Sequence, residues 1–346
     1  MTEKISIQII NNFNDKKYID FVGNNPRTSI FQTLEMAEVY AKNKYATPSI
    51  IIAIDESNGE ILSSMLAKIL IRKPGFMSSF SKHSSIRGGP IFKDSPSGIM
   101  ATSELLKFYN DFIKSDVLYS RIYPLSDPSL LKLSFEKNNY KFSSWNNFVI
   151  DLNRSSNEIW KDLDKYKRKS VNRAEKKGVS IEELSDKNLL PLFYELLKET
   201  YIPRKQPLED ISHFEAVFDI LVPKKMAKFF LAKYDGEYIA GRLALAYKGI
   251  VYDWYTGSLK KTLSLYPNDL LVWHILKWGS ENGFKVFDFG GGGTSEQSLE
   301  GWVEFKKRFG GKQICYGRYT AIHQPMKLWF AEKAYKVYRN IKFFKI

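Results

Sequence analysis

A mixed α/β chain built as two lobes of similar plan is what this sequence predicts, and three observations carry the prediction. At 346 residues the chain exceeds what one ordinary hydrophobic core encloses. Its first half reads as helix, hairpin, helix, strand, helix and strand by about residue 152, and the second half repeats a hairpin set among helices. Apolar runs such as Ile50 to Ile54 stay far short of the ~20 residues of a membrane helix. The 44% hydrophobic content therefore belongs to packed interiors.

The elements follow in order. Residues 5–22 alternate weakly and predict a strand and a turn. Ser29 to Gln32 leads into a helix over 33–44, with Leu34, Ala37 and Tyr40 or Ala41 on one face. Residues 48–54 and 60–71 read as strands joined by the polar loop Asp55-Glu56-Ser57-Asn58-Gly59. Residues 72–90, rich in Gly, Ser and basic residues and ending in Arg87-Gly88-Gly89-Pro90, predict a mobile loop able to reach a ligand. A helix over 97–114, a strand over 117–123, a helix over 128–138 and a strand over 145–152 complete the first half.

The second half opens on a helix over 158–177 with Ile159, Leu163, Tyr166, Ser170 and Ala174 inward and Gly178 at its end. Its other face carries Lys161, Lys165, Arg168, Lys169, Arg173 and Lys176. Such a face is either ordinarily solvated or a docking stripe for phosphates. A helix over 188–200 runs into Tyr201-Ile202-Pro203-Arg204. Strands over 229–234 and 238–247 turn at Asp235-Gly236. Residues 252–258 read as a strand entering a loop, and Pro267-Asn268-Asp269 opens a helix closed by Asn282-Gly283. From His323 a basic, aromatic helix ends the chain, with Leu328, Ala331, Tyr335, Tyr338 and Ile341 on one face. It packs on the protein or lies on a membrane surface.

Residues 284–311, FKVFDFGGGGTSEQSLEGWVEFKKRFGG, carry the candidate chemistry. Val286-Phe287-Asp288-Phe289 reads as a buried strand, and Gly290 to Gly293 free the backbone for positive φ or close approach to a ligand. Leu299, Trp302 and Phe305 are spaced for helical turns, which Phe309-Gly310-Gly311 ends. Nucleotide motifs fail here. G-x-G-x-x-G would need glycine at Ser295 or Glu296, and a phosphate loop ending at Gly311-Lys312 would need glycine where Lys306 stands. Lys306 is the first catalytic candidate.

Composition bounds the rest. One cysteine, Cys315, leaves no partner for an intrachain disulfide and suits a reducing compartment. The N-terminus lacks a signal peptide's apolar core, so a cytoplasmic protein is expected. A formal charge of +14 predicts attraction to nucleic acid, anionic lipid or nucleotide diphosphates. The four histidines, His83, His213, His274 and His323, have no metal-ligand spacing, and no metal site is expected.

The order strand, loop, proline-started helix, strand with Phe-Asp-Phe, glycines, then Phe-Lys-x-x-Phe-Gly resembles the Fem family of peptidyltransferases. That resemblance is strongest over about 160–320. It implies two tandem GNAT-like acyltransferase lobes, each a twisted mixed sheet flanked by helices, without a coiled-coil insertion. The first lobe, 1–152, would serve the acceptor and be completed by the terminal helix, 323–346; the second, 153–322, would hold the catalytic loop. The implied reaction moves an amino acid from aminoacyl-tRNA to an amine of an envelope-precursor peptide, nucleotide- or lipid-linked, with no cofactor. The expected protein is a monomer at work in the cytoplasm or at the inner face of the membrane.

By the same resemblance Phe305 and Lys306 are the family's Phe-Lys pair, and Arg204 is its diphosphate-binding arginine. Lys306 would stabilise the oxyanion of ester aminolysis. Asp288 would position the attacking amine or take its proton, or else cap a turn. Tyr255, Gly291, Gly292 and Trp302 would line the substrate site, and Lys165, Arg168, Lys169 and Arg173 would bind the donor tRNA. Two departures matter. Residues 257–267 lack the Q/R-x-x-G-x-G/A loop with which GNAT enzymes hold coenzyme A. Gln32, Thr33, Met36 and Tyr40 stand where the family often reads Gln-Ser-x-x-Trp-x-x-x-Lys, which leaves the acceptor open. A coenzyme A-dependent N-acyltransferase of surface-polysaccharide sugars, and a non-catalytic GNAT-like protein binding nucleic acid or membrane, remain alternatives.

Overall fold

The β-branched and aromatic runs pair into two mixed sheets in a computed structural model. It describes residues 4–71, 75–291, 293 and 301–341, the side chains of 75–77 and 335–341 excepted. In chain order the strands are β1 (Ile5–Ile10), β2 (Ala46–Asp55), β3 (Ile61–Leu70), β4 (His83–Gly88), β5 (Ile91–Phe92), β6 (Tyr119–Pro124), β7 (Lys141–Ser143) and β8 (Asn146–Asp151). They continue as β9 (Ser180–Glu183), β10 (Ala227–Tyr234), β11 (Glu237–Tyr247), β12 (Ile250–Ser258), β13 (Val286–Gly291), β14 (Lys312–Cys315) and β15 (Arg318–Ile322). The chain divides into two compact units, Met1–Ser143 with Tyr316–Ile346, and Ser144–Cys315.

The first sheet runs β1-β2-β3-β4-β6-β15-β7, with β5 beside β3. Its main-path neighbours are antiparallel except β4 and β6, which are parallel. The second runs β9-β10-β11-β12-β13-β8-β14, and only β12 and β13 are parallel. Strand for strand the two plans coincide.

Their helices pack by apolar stripe. In the first unit α1 (Lys16–Asn24) and α2 (Leu34–Lys42) precede α3 (Pro96–Ile113), which Ser95 caps and which buries Ala101, Leu105, Leu106, Tyr109 and Ile113. A short α4 (Lys132–Lys137) follows. The second unit holds α5 (Ser156–Asp162), α6 (Lys165–Lys176), α7 (Leu190–Tyr201), α8 (Ile211–Leu221), α9 (Pro267–Glu281) and α10 (Gly301–Lys307). Pro267 opens α9, whose Leu271, Ile275 and Leu276 meet Phe230, Val251 and Phe287 of the sheet in one core. The last described element is α11 (Pro325–Ile341), which belongs to the first unit.

Several expectations change. The lobe boundaries fall at 143/144 and 315/316 rather than 152/153 and 322/323. β8 pairs with β13 and β14, while β15 pairs with β6 and β7, so each of these strands joins the sheet of the other half. Periodicity reports which face of a strand is buried but not which sheet receives it. Much of the loop expected over 72–90 is β4, an inner strand with Ser84, Ile86 and Gly88 buried; residues 72–74 lie outside the described ones. The turn expected within 5–22 is followed by α1, and α8 was not foreseen.

The single helix expected over 158–177 is two. Leu163 is extended at ψ 141, and Asp164 caps a new helix by accepting from the Tyr166 N–H. That break resets the helical phase, so α6 buries Lys167, Val171 and Ala174, and Tyr166 stands 65% exposed.

Candidate active site

In the second unit the parallel strands β12 and β13 stay paired for three residues, ending at Tyr252 opposite Asp288. A bulge sits on each strand just past that point. Tyr255 faces Leu243 and Asp253 faces Ala244, so Trp254 is the extra residue of β12. On β13, Phe289 and Gly290 together oppose Phe148 of β8. Bulges re-aim side chains and end pairing, and here they lie on both sides of the parting.

The first bulge decides which side chains meet. In a regular strand Asp253 and Thr256 would point to opposite faces. With Trp254 inserted, both share the face of Arg242, whose cross-strand partner is Thr256. Arg242 and Asp253 form a buried ion pair at 2.5 Å, their side chains 3% and 9% exposed. The Tyr201 phenol of α7 is near both charges. Burial and then Asp253 push it up to about 12, and the Thr256 backbone N–H holds its oxygen.

The second bulge gathers carbonyls. Gly290, at φ +68, turns the backbone at the end of β13. Lys306 of α10 donates to the carbonyl oxygens of Phe289 at 2.7 Å, Gly291 at 2.9 Å and Gly290 at 3.3 Å. Its ammonium also lies 5.6 Å from the Trp302 ring centre, one helical turn away. Burial pushes Lys306 down to about 8, against the pull of Asp253 and Asp288, with Arg242 adding to the fall. Buried Asp288 accepts from the Gly290 N–H at 2.7 Å, so its carboxylate caps the same turn.

The other expected residues are placed as follows. Gly291 lies under the Trp145 indole, where an added Cβ would stand 2.6 Å from Nε1 and displace the ring. Gly292 lies outside the described residues. Phe305 faces away from the carbonyl cage: the Lys167 ammonium sits 3.7 Å over its ring and pairs with Asp269 at 2.7 Å. Tyr255 belongs to an aromatic cluster with Tyr201, His213, Phe214 and Trp254. Arg204 is exposed on the turn after α7, its charge reaching the Tyr201 phenol.

Of the basic stripe, Lys165, Lys169 and Arg173 are exposed at four-residue spacing. Arg168 turns back and donates to the Leu163, Lys161 and Trp160 carbonyls at the end of α5, which removes it from the stripe. On α11, Leu328 and Ala331 are half-buried; the side chains of Tyr335, Tyr338 and Ile341 lie outside the described ones. Met326, Trp329 and Phe330 are at least half exposed. The residues the sequence reading missed are Arg242, Asp253, Thr256 and Lys167. A signal was present for the first: an arginine alone in the apolar run Ile239-Ala240-Gly241-Arg242-Leu243-Ala244 needs a buried partner.

Residues 163–307 match a family described as an acetyltransferase (GNAT) domain. No curated protein matches the sequence. Among solved structures, FemX superposes with a TM-score of 0.68 over 94% of this chain and 100% of its own, at 18% identity. The chain has a Fem-like tandem GNAT fold. L-PGS from Bacillus licheniformis is also similar, at TM-score 0.55, 15% identity and 92% and 96% coverage. So is a tandem GNAT protein from the clavulanic acid biosynthesis pathway, at 0.57, 10%, and 92% and 99%. In this tandem GNAT chain the parted strand pair and Lys306 fall in the unit to which the matched domain belongs.

Proposed function

We propose that this protein transfers an aminoacyl group from the ester of an aminoacyl-tRNA to an amine of a cell-envelope precursor. One observation carries the reading: a lysine ammonium is held by α10 at the place where β12 and β13 part. An ester is already activated, so the protein's task is to orient both substrates and to offset negative charge on the tetrahedral intermediate. The Lys306 ammonium suits that second task once one carbonyl yields its N–H. The acceptor amine attacks the ester carbonyl and the oxyanion forms; as it collapses to the amide the bond to the ribose oxygen breaks, and the proton given up by the amine nitrogen goes to that oxygen, which leaves as the hydroxyl. Absence of the coenzyme A loop from residues 257–267, and similarity to FemX and to L-PGS, support this donor over an acyl coenzyme A.

Two surfaces suit the substrates. Lys165, Lys169 and Arg173 offer a row of charges to a tRNA backbone. Exposed Met326, Trp329 and Phe330 of α11, with Lys327 and Lys333 among them, suit an anionic membrane surface and hence a lipid-linked acceptor. Arg204, exposed near Tyr201, suits the acceptor's phosphates; Arg204→Ala is expected to raise the acceptor's KM more than it lowers kcat.

Incubation with labelled aminoacyl-tRNA and, separately, with acetyl coenzyme A, each beside amine acceptors, tests the reading. Transfer from acetyl coenzyme A alone would replace it with the sugar N-acyltransferase reading. Sedimentation with phosphatidylglycerol vesicles, lost in Trp329→Ala/Phe330→Ala, tests the membrane contact. Equal sedimentation of wild type and variant would discard it.

A further inference from the structure

Three polar atoms in the second unit are buried without a hydrogen-bond partner among the described residues and share one face of β11 and β12: Arg242 Nε, Asp253 Oδ1 and Thr256 Oγ1. The Arg242–Asp253 contact uses Nη1 and Oδ2, and Arg242 Nε–H and Asp253 Oδ1 are left without a partner among the described residues. Buried polar atoms are nearly always satisfied, because an unmade bond there forfeits hydration without replacement. Here two of the three, on Asp253 and Thr256, lie on β12 beyond its last pairing with β13, the third is on Arg242 of β11 opposite Thr256, and Gly290 passes close enough that a Cβ there would touch the Asp253 carbonyl.

The set has a definite complement. Asp253 Oδ1 is a charged acceptor, Thr256 Oγ1 accepts or donates, and Arg242 Nε–H donates. A group with a cationic N–H donor beside an acceptor oxygen satisfies all three, and an α-amino ester is such a group. We propose that Asp253, with Thr256, binds the α-ammonium of the donor's aminoacyl group, while Arg242 Nε–H faces the adjoining ester oxygen. This rests on the aminoacyl-donor reading above and names the part of the donor that the site selects. The ammonium takes no part in bond-making. Holding it fixes the ester carbonyl beside Lys306 and separates aminoacyl esters from plain acyl donors, which bring no cation to the free carboxylate oxygen.

The test compares tRNA acylated with a mixture of α-amino acids against tRNA acylated with the corresponding α-hydroxy acids. Wild type is expected to use the hydroxyacyl donors at least about tenfold less well in kcat/KM, since a site built to bond a polar group rejects its absence. Asp253→Asn is expected to lose most of its rate on the aminoacyl donors and little on the hydroxyacyl donors, bringing the ratio near one. Thr256→Val, which leaves the ion pair intact, is expected to lower the ratio severalfold even if Asp253→Asn folds poorly. A wild-type ratio near one overturns the assignment alone, as does an equal loss on both donors in Asp253→Asn, the mark of a base or a structural group. Transfer from acetyl coenzyme A but from neither acyl-tRNA overturns the donor reading and the assignment with it. If no acceptor turns over, the Kd of a 3′-aminoacylamino-3′-deoxyadenosine and of its α-hydroxy counterpart supplies the same ratio, and equal values sink the proposal.

Discussion

The two units lay out the same seven-strand order, yet they treat the parallel pair at its centre in opposite ways. In the first unit β4 and β6 remain paired over five residues, from Ser84 opposite Ser120 to Gly88 opposite Pro124. In the second the equivalent pair parts after three, between two bulges. The polar groups differ accordingly. Behind the closed pair, Ser84 bonds the Tyr109 hydroxyl at 2.6 Å, and Ser120 bonds the Tyr140 hydroxyl and His323 Nε2, each at 2.9 Å. Burial pushes both phenols far up, so that network is neutral. The open pair is lined by Arg242, Asp253, Asp288 and Lys306. Neutral bonded hydroxyls lock a strand pair at little cost, whereas desolvated charges are costly, and their gathering in the second unit is what supports the proposal that the reaction belongs there.

The comparison breaks most readily at Lys306. Lys306→Met is expected to lower kcat by ~10²–10³, the usual loss on removing an oxyanion donor, with a small shift in melting temperature. Retention of more than about a tenth of wild-type kcat would place the chemistry elsewhere and reduce the ammonium to a clasp for the Gly290 turn.

Titration sharpens the same point. The unfolded chain holds the Lys306 proton up to about 10.5, while the folded chain releases it near 8. Between those values the unfolded state binds more protons, so stability rises with pH across the window, and below about 8 the fold carries the full burden of a buried charge. Activity moves the other way. A rate that needs the ammonium falls as pH rises through about 8; measured on an α-hydroxyacyl donor, which has no ammonium of its own to titrate, that alkaline limb is expected to vanish from kcat/KM in Lys306→Arg, which stays charged. A limb unchanged by the substitution would belong to another group.

The comparison also predicts where tRNA charge counts. Reversing Lys165, Lys169 and Arg173 to glutamate, with Arg168 left to cap α5, is expected to weaken tRNA binding. The salt slope should fall by about 2–3, close to one unit per lost phosphate contact, in a filter titration at several salt concentrations. Matching slopes would show a merely solvated face. The smallest expected effect belongs to the closed pair. Ser84→Ala should cost ~1 kcal/mol of unfolding free energy and leave kcat within about twofold. A large fall in kcat would mean that the first unit's central strands also serve the reaction.

Much of the fold was legible because its elements are strongly periodic and well punctuated. The Asp235-Gly236 hairpin, the helix opened by Pro267 and the strand before the glycines stand where the pattern puts them. What was hidden had short or competing signals. β4 was masked by serines and glycines, although its partners rather than its own composition make it a strand. The broken helix at Leu163 turned on one aspartate cap. At the site, Lys306 and the glycine turn could be read from sequence neighbours, but the Arg242–Asp253 pair joins residues on different strands. Its alignment with Thr256 depends on a one-residue bulge that no period-two reading includes.

The exchanged strands constrain how the molecule comes into being. β15 lies between β6 and β7, and Arg318 is 175 residues beyond the Ser143 to which its guanidinium donates. At ~5–20 residues per second, a ribosome needs roughly 10–35 s to cover that distance. Throughout that interval the first unit is a sheet with an unfilled slot, and the edge of β6 is open to mispairing. A nascent chain arrested before Arg318 should therefore be cleaved readily by protease within 119–143, and the same stretch should become resistant once β15 has emerged. Folding of the first unit is in this sense a C-terminal event, completed only after the second has been made.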